Sequence, residues 1–461
     1  MKNTTRQWLI AFICLFYFVP LSIAQKNFVM VHGLGGGVKS LGGYGATFQN
    51  ERQIGQAANF EHNSANGISI AAADARDKTI GKSPGHIRSA DIGIGHSMGG
   101  LTVREMDRQA IQGNQEKMFG GFIALGAPNQ GSKLVQSFNN GAVNNFLSDA
   151  CKEVIADPLL SIANILTLGT SANGFVNLLQ NFDTQICNFA AKLLASGDAF
   201  AAFQTPSIND FGENAPFLNG PSGINSFPST THKVSFLGNE NGPVHWRLFG
   251  ANFFTPNDGL TLHEPGGDQQ LVNIMNDVEN IELVAGILFS SIAIAAIFSG
   301  AWNMVLPAAL AAYQFFDGFT WLQQSESKYN DIIGAFNSFQ EMQTLRFFNC
   351  GGQVGSLESA YQRGYISMTQ YYMGVSALYS NPSCYSEENL LVTVANNGES
   401  DGVVPLSRQN LTGAFNTRID EVNHFELRDH PRVTDRFTDL FEGNLSGMNP
   451  AARLFFITPH R

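Results

Sequence analysis

The sequence predicts an α/β fold: a reduced, mostly parallel β-sheet flanked by helices and interrupted by large, mainly helical insertions. Three observations carry that prediction. Two short apolar runs of strand type, Phe28-Val29-Met30-Val31 and Ile92-Gly93-Ile94, each end in a glycine-rich turn. The second of these turns, Gly95-His96-Ser97-Met98-Gly99-Gly100, leads directly into a helical stretch from Leu101 to Ala110, the strand-turn-helix unit from which parallel sheets are built. Ser97 and Asp401 stand 304 positions apart, whereas the sheet joining them needs about a hundred residues, so something large is inserted.

The first element is a leader. Lys2 and Arg6 precede an uncharged apolar run from Trp8 to Val19, which ends in Ser22-Ile23-Ala24 before Gln25. A basic start, an apolar stretch and small residues at a cleavage position make a signal-peptide pattern. The expectation is a secreted or periplasmic protein cleaved near Ala24, with residues 1–24 as leader. No cysteine follows the cleavage position, so a lipoprotein anchor is not indicated. Loss of the leader removes two cations and no acid, taking the formal net charge of −11 down by two, to −13. That balance argues against nucleic acid and anionic membrane as partners. Four of the five cysteines remain, and the sequence-local pairs Cys151 with Cys187 and Cys350 with Cys384 are favoured among three connectivities; four free buried thiols are the alternative.

Phe28 to Val31 begins only three residues after Gln25, leaving no room for earlier strands. It leads into His32-Gly33-Leu34-Gly35-Gly36-Gly37, where glycines let backbone approach a ligand. A phosphate-cradling loop is the competing reading, but no Lys-Ser/Thr follows. Ile68-Ser69-Ile70 reads as a strand, and the short charged stretch after it, through Lys82, as a reduced or irregular crossover. At the next element, glycines at 95 and 99 remove Cβ atoms that would block a sharp strand-to-helix turn, so Ser97 is held strained with its hydroxyl exposed, the disposition of a nucleophile.

A serine nucleophile needs two N–H donors for the tetrahedral oxyanion, and the expected pair is the Met98 amide, next in sequence, and the Leu34 amide on the earlier glycine loop. It also needs an acid and a histidine, in that chain order. Leu390-Leu391-Val392-Thr393-Val394 reads as a buried core strand, with Asp401 just past it in Ser400-Asp401-Gly402-Val403-Val404-Pro405; His424 follows in Asn423-His424-Phe425. In this reading Ser97 attacks, His424 moves the proton and Asp401 orients the imidazole. Asp258, in Asn257-Asp258-Gly259-Leu260, rivals Asp401, and His430, followed by Pro431, rivals His424 weakly. His32 and His96 read as structural, and His245 and His263 lack neighbours at ligand spacing, so no metal or other cofactor is expected.

These residues resemble the α/β-hydrolase superfamily, and within it the secreted lipases and inositol-deacylase-like esterases. The matching pieces are Val31-His32-Gly33-Leu34-Gly35, Gly95-His96-Ser97-Met98-Gly99-Gly100, Leu125-Gly126-Ala127-Pro128-Asn129-Gln130-Gly131, Ser400 to Pro405 and Asn423-His424-Phe425. The resemblance implies a serine carboxylic-ester hydrolase acting through an acyl-enzyme on lipid-like esters, with the 125–131 segment as architecture. An acyltransferase or amidase would use the same groups, and a non-catalytic binding protein on the same scaffold is the reading from a different class. The resemblance covers about the first hundred mature residues and the last seventy.

The division expected is a first half of the core over 25–135, cap or lid insertions over 136–385 with a return to the core near 231–262, and the second half over 386–461. Within the insertions, Leu283 to Phe316 has no charged residue. Three readings stand: a helical pair buried in the cap, a mobile lid making transient contact with lipid, and a membrane-spanning helix. Phe is abundant, at 37 residues against 10 Tyr and 4 Trp, and pairs such as Phe315-Phe316 suit either an acyl tunnel or ordinary core.

Overall fold

The computed structural model describes residues 26–59, 61–82, 90–152, 205–240, 302–348 and 385–458, together with isolated positions such as 245 and 460. Strand β1 (Lys26–Val31) lies inside the sheet, between β2 (Ile54–Asn59) and β3 (Ile92–His96). The order continues through β4 (Gly121–Leu125), β5 (His232–Asn239) and β8 (Phe415–Asp420), giving β2-β1-β3-β4-β5-β8 with every neighbouring pair parallel. Strands covered on both faces read as continuous apolar runs, and β3 and β4 are buried at every position.

Helices cover both faces. On one, α1 (Gly42–Glu51) and the C-terminal helices α5 (Pro431–Glu442) and α6 (Pro450–Phe456) pack Phe48, Phe437, Phe441 and Phe456 against Phe28, Ile92 and Phe236. On the other, α2 (Ile68–Lys82) and α3 (Met98–Gln112) bring Ala72, Ala75, Val103 and Met106 against Val29, Val31 and Phe122. The long helix α4 (Trp302–Ile333) belongs to the insertion. Among the described residues no helix is long and apolar enough to cross a membrane. Most of 283–301 lies outside them, as do residues 1–24, Asp258, His263, Cys187, Cys350, Cys384 and the proposed core return at 246–251.

Two sequence readings are corrected. Ile68-Ser69-Ile70 is not a strand but the first turn of α2, a full crossover helix of 15 residues. Its buried positions 68, 71, 72, 75 and 79 follow helical spacing. Its opening amides are capped from far along the chain: Ser207 Oγ accepts from Gly67 N at 2.7 Å and Asp210 Oδ2 from Ile68 N at 2.7 Å. The strand containing Leu390–Val394 is also not part of the core. It is β7 (Tyr385–Asn397), which pairs antiparallel with β6 (Phe336–Phe348) in a separate two-stranded sheet. The insertion is therefore not helical throughout.

The expected return to the core near Lys233–Leu237 is strand β5. From its end the chain leaves at Glu240 and comes back at Ser400, and the two positions are joined by a hydrogen bond from Glu240 N to Ser400 O of 2.7 Å. The turn carrying Asp401 thus stands at the C-terminal end of β5, after an excursion of some 160 residues. A six-stranded parallel sheet in this order, with a sharp turn from β3 into α3 and helices on both faces, is the α/β-hydrolase fold.

Candidate active site

The turn between β3 and α3 holds Ser97 at φ 55°, ψ −130°, one of three non-glycine residues at positive φ among those described. Steric crowding makes this conformation costly, and the surrounding packing enforces it. A Cβ on Gly95 would stand 2.3 Å from the Gly99 carbonyl group, and one on Gly99 would stand 2.2 Å from Val31 O. Ser97 N donates to Leu125 O at 2.8 Å, fixing the turn to β4. Ser97 sits at the N-cap of α3, so the positive end of that helix faces the site.

The glycine loop after β1 lies directly on this turn: a Cβ on Gly33 would be 2.9 Å from Ser97 Cβ and 3.2 Å from His96 O. Leu34 is half-buried and Met98 buried. Among the described residues no cap, turn or side-chain acceptor takes the Leu34 or Met98 N–H. Gly35, at φ 66°, reverses the loop, and His32 Nδ1 donates to Gly33 O at 2.8 Å. Burial lowers the His32 pKa, and the ring packs on His62 with centroids 3.9 Å apart. His62 was not singled out by sequence; burial and then the His32 charge push it down to about 3.

Asp401 and His424 meet. His424 Nδ1 is 2.7 Å from Asp401 Oδ2, and His424 N donates to Asp401 O at 2.7 Å. The carboxylate is fully buried, and its second oxygen accepts from Val403 N at 2.9 Å and Val404 N at 2.7 Å. With Nδ1–H given to the carboxylate, Nε2 is the nitrogen left to accept a proton. The Asn423–Glu426 loop holds the ring reciprocally: Asn423 Oδ1 accepts from Phe425 N and Glu426 N, and Glu426 Oε2 from Asn423 N. The Ser97 hydroxyl and His424 Nε2 are not hydrogen-bonded to each other here. His430 is elsewhere, as the cap of α5, with Nδ1 accepting from Arg432 N.

His96 links the turn to this pair. Its Nε2 donates to His424 O at 2.8 Å and its ring lies 4.8 Å from the His424 ring. Complete burial, followed by the His424 charge, holds its pKa well below the usual range. Gly126, in the Gly-Ala-Pro-Asn-Gln-Gly segment, sits at φ 57° beneath the same pair. A Cβ there would stand 2.9 Å from Asp401 Oδ2 and 3.2 Å from His424 Nδ1. The insertion also reaches the site: Tyr329 of α4 donates to Gly402 O at 2.8 Å, and burial, then the Asp401 charge, pushes its hydroxyl up. No sequence pattern distinguishes Tyr329 from any other core aromatic. Among the described residues no cluster of three His, Cys, Asp or Glu could hold a metal ion.

No protein-family model matches this chain, and no curated protein matches it. Among solved structures, it is similar to the Bacillus licheniformis lipase BlEst2 in its propeptide form, at 16% identity and a TM-score of 0.26 over 52% of this chain. It is similar to the mature form of the same lipase at 17% identity and a TM-score of 0.24, over 52% of this chain and 78% of that one. The chain spans less than half, 43%, of the length of the propeptide form.

Proposed function

We propose that this protein is a serine carboxylic-ester hydrolase of the lipase or esterase type. Ser97 attacks the ester carbonyl, His424 Nε2 takes its proton and returns it to the leaving alkoxide, and Asp401 orients and stabilises the imidazolium. The Leu34 and Met98 amides hold the oxyanion, and water releases the acyl group by the same steps. The observation that carries this reading is the buried pairing of His424 Nδ1 with Asp401 Oδ2 at 2.7 Å, next to a serine held at positive φ. The reading does not need a hydrogen bond from Ser97 to His424 at rest, because catalytic hydrogen bonds commonly tighten only when substrate is bound.

The substrate class proposed is a hydrophobic, lipid-like ester. Its support is the uncharged stretch 283–316 within the insertion and the gain of about 0.8 kcal/mol for each buried CH₂ of an acyl chain. The leader-like residues 1–24 support export of the protein. Hydrolysis of p-nitrophenyl esters of increasing chain length by the mature protein tests both parts. Activity that rises with chain length and vanishes in Ser97→Ala is expected. Activity that survives in Ser97→Ala sinks the nucleophile, and a preference for acetate over long chains sinks the lipid-like substrate.

A further inference from the structure

The carboxylate of the proposed triad belongs to a turn whose preceding strand, β7, is paired outside the main sheet. Something other than strand continuity must therefore fix Asp401 relative to His424. We infer that Gln409 is the positioning residue that does so. This inference rests on the hydrolase reading above.

Gln409 lies on the short helix Leu406–Gln409 and is completely buried. On one edge, β5 is paired with β8 as far as Asn239; on the other, its partner β4 ends opposite Phe236. Gly238 therefore presents an N–H and a carbonyl to a vacant edge, and the Gln409 side chain takes both. Its Oε1 accepts from Gly238 N at 2.8 Å and its Nε2 donates to Gly238 O at 3.0 Å. The amide stands in for the next residue of β4. The second Nε2 proton goes to Val404 O at 2.9 Å. The partners dictate the orientation of the amide, since a carbonyl oxygen only accepts.

Val404 is the link to the carboxylate. Its N–H is donated to Asp401 Oδ1 at 2.7 Å, which leaves Oδ2 directed at His424 Nδ1. Gln409 thus ties Val404, the residue whose N–H orients the carboxylate, to the end of β5 through its carbonyl. The tie also requires a glycine opposite: a Cβ on Gly238 would stand 3.0 Å from Asp401 Cβ. The Gln409 main-chain carbonyl is held separately, by Asn129 Nδ2 at 2.7 Å and Ser235 Oγ at 3.1 Å. Ser235→Ala is accordingly a control that loosens the helix without touching the amide clamp.

The test compares Gln409→Glu, Gln409→Met and Ser235→Ala in the full mature chain, well below the melting temperature of each. The readouts are kcat, KM, the rate at which a fluorophosphonate labels Ser97, and the downfield proton signal of His424 Nδ1. The expected result is a fall in kcat and in labelling rate of about tenfold or more in both Gln409 variants. KM should change little, and the Nδ1 proton signal should shift or be lost. Relative to wild type at the same pH, Gln409→Glu should recover part of its activity as pH falls, because a protonated carboxyl again donates to one carbonyl; Gln409→Met should not. Ser235→Ala should lower the melting temperature while keeping kcat and the proton signal. Wild-type kcat and an unshifted proton in folded Gln409 variants would overturn the inference. If neither variant folds, Gln409→Asn keeps the amide but shortens its reach toward Gly238 and Val404, and unchanged kcat and Nδ1 signal there would overturn it too. A wild-type protein that neither hydrolyses esters nor labels at Ser97 would instead refute the hydrolase reading itself.

Discussion

At the scale of single residues, the site depends on atoms that are absent. Gly126 combines φ 57° with a Cβ position 2.5 Å from Leu427 Cδ1 and 2.9 Å from Asp401 Oδ2. Gly126→Ala should cost about 1–2 kcal/mol for the left-handed backbone alone, and should move the Asp401–His424 pair. Its kcat on a p-nitrophenyl ester should fall about tenfold or more with KM little changed; steady-state kinetics returning the wild-type kcat would show that the pair tolerates displacement. Ser97, Asp401, His424, Leu34 and Met98, the residues of the proposed mechanism, stand out in the sequence because each falls in a short motif whose residue types answer a chemical need. Gln409 and His62 were not, since a lone Gln on a short helix and a His in a loop carry no pattern, and their importance lies in partners 171 and 30 positions away.

At the scale of elements, the errors came from local alternation without its tertiary context. Ile68-Ser69-Ile70 alternates like a strand, yet the following Ala71, Ala72 and Ala75 extend a helical stripe, and the cap that starts the helix comes from residues 207 and 210. Leu390–Val394 has the composition of a buried strand, but composition does not say which strand it pairs with, and its partner lies in the insertion. Strands β1 and β3 were readable because a glycine turn follows each, and β5 because the sheet needs a return from the insertion. The cap yields a prediction of its own. Asp210→Ala should destabilise the protein by about 1 kcal/mol, the usual worth of a carboxylate at a helix N-terminus. Burial raises the Asp210 pKa despite the bond from Ile68 N, so ionisation offsets part of the benefit and the loss should be larger below the carboxylate range than above it. Thermal melts at pH 7 would detect it, and an unchanged midpoint would mean that water replaces the carboxylate.

For the whole molecule, the buried histidines set the response to acid. His62 and His245 are pushed down to about 3 by burial, and His32 and His96 are lowered as well. Each is neutral in the folded protein, while the unfolded chain takes up protons from about pH 6.5 downward. Their contribution is therefore complete above about pH 6.5 and is lost as pH falls toward about 3. At pH 5 the loss is about 2 kcal/mol for each histidine held near 3. Asp107, raised by burial, works in the opposite sense but only near the carboxylate range. The melting temperature should thus fall steadily from pH 7 to pH 5, and less steeply in His62→Gln; equal slopes would show that His62 is not held neutral. The overall acidity of the chain gives no hint of this, because it describes the surface and these rings are interior.

The two ends of the described chain close on each other. Lys26 Nζ donates to the carbonyls of Phe455 and Ile457, Arg52 donates to Thr458 O and pairs with Glu442, and the Phe28 ring stacks on Phe441 at 5.3 Å. One face of the first strand is therefore covered by residues synthesised more than four hundred positions later. Contacts so distant in sequence are slow to form. A nascent chain lacking its last two helices would expose Phe28, Phe48 and Phe236 together, a surface that invites aggregation. If residues 1–24 direct export as proposed, the same delay would keep the polypeptide threadable through a translocation pore, since this face of the core cannot close until residues 431–458 have emerged.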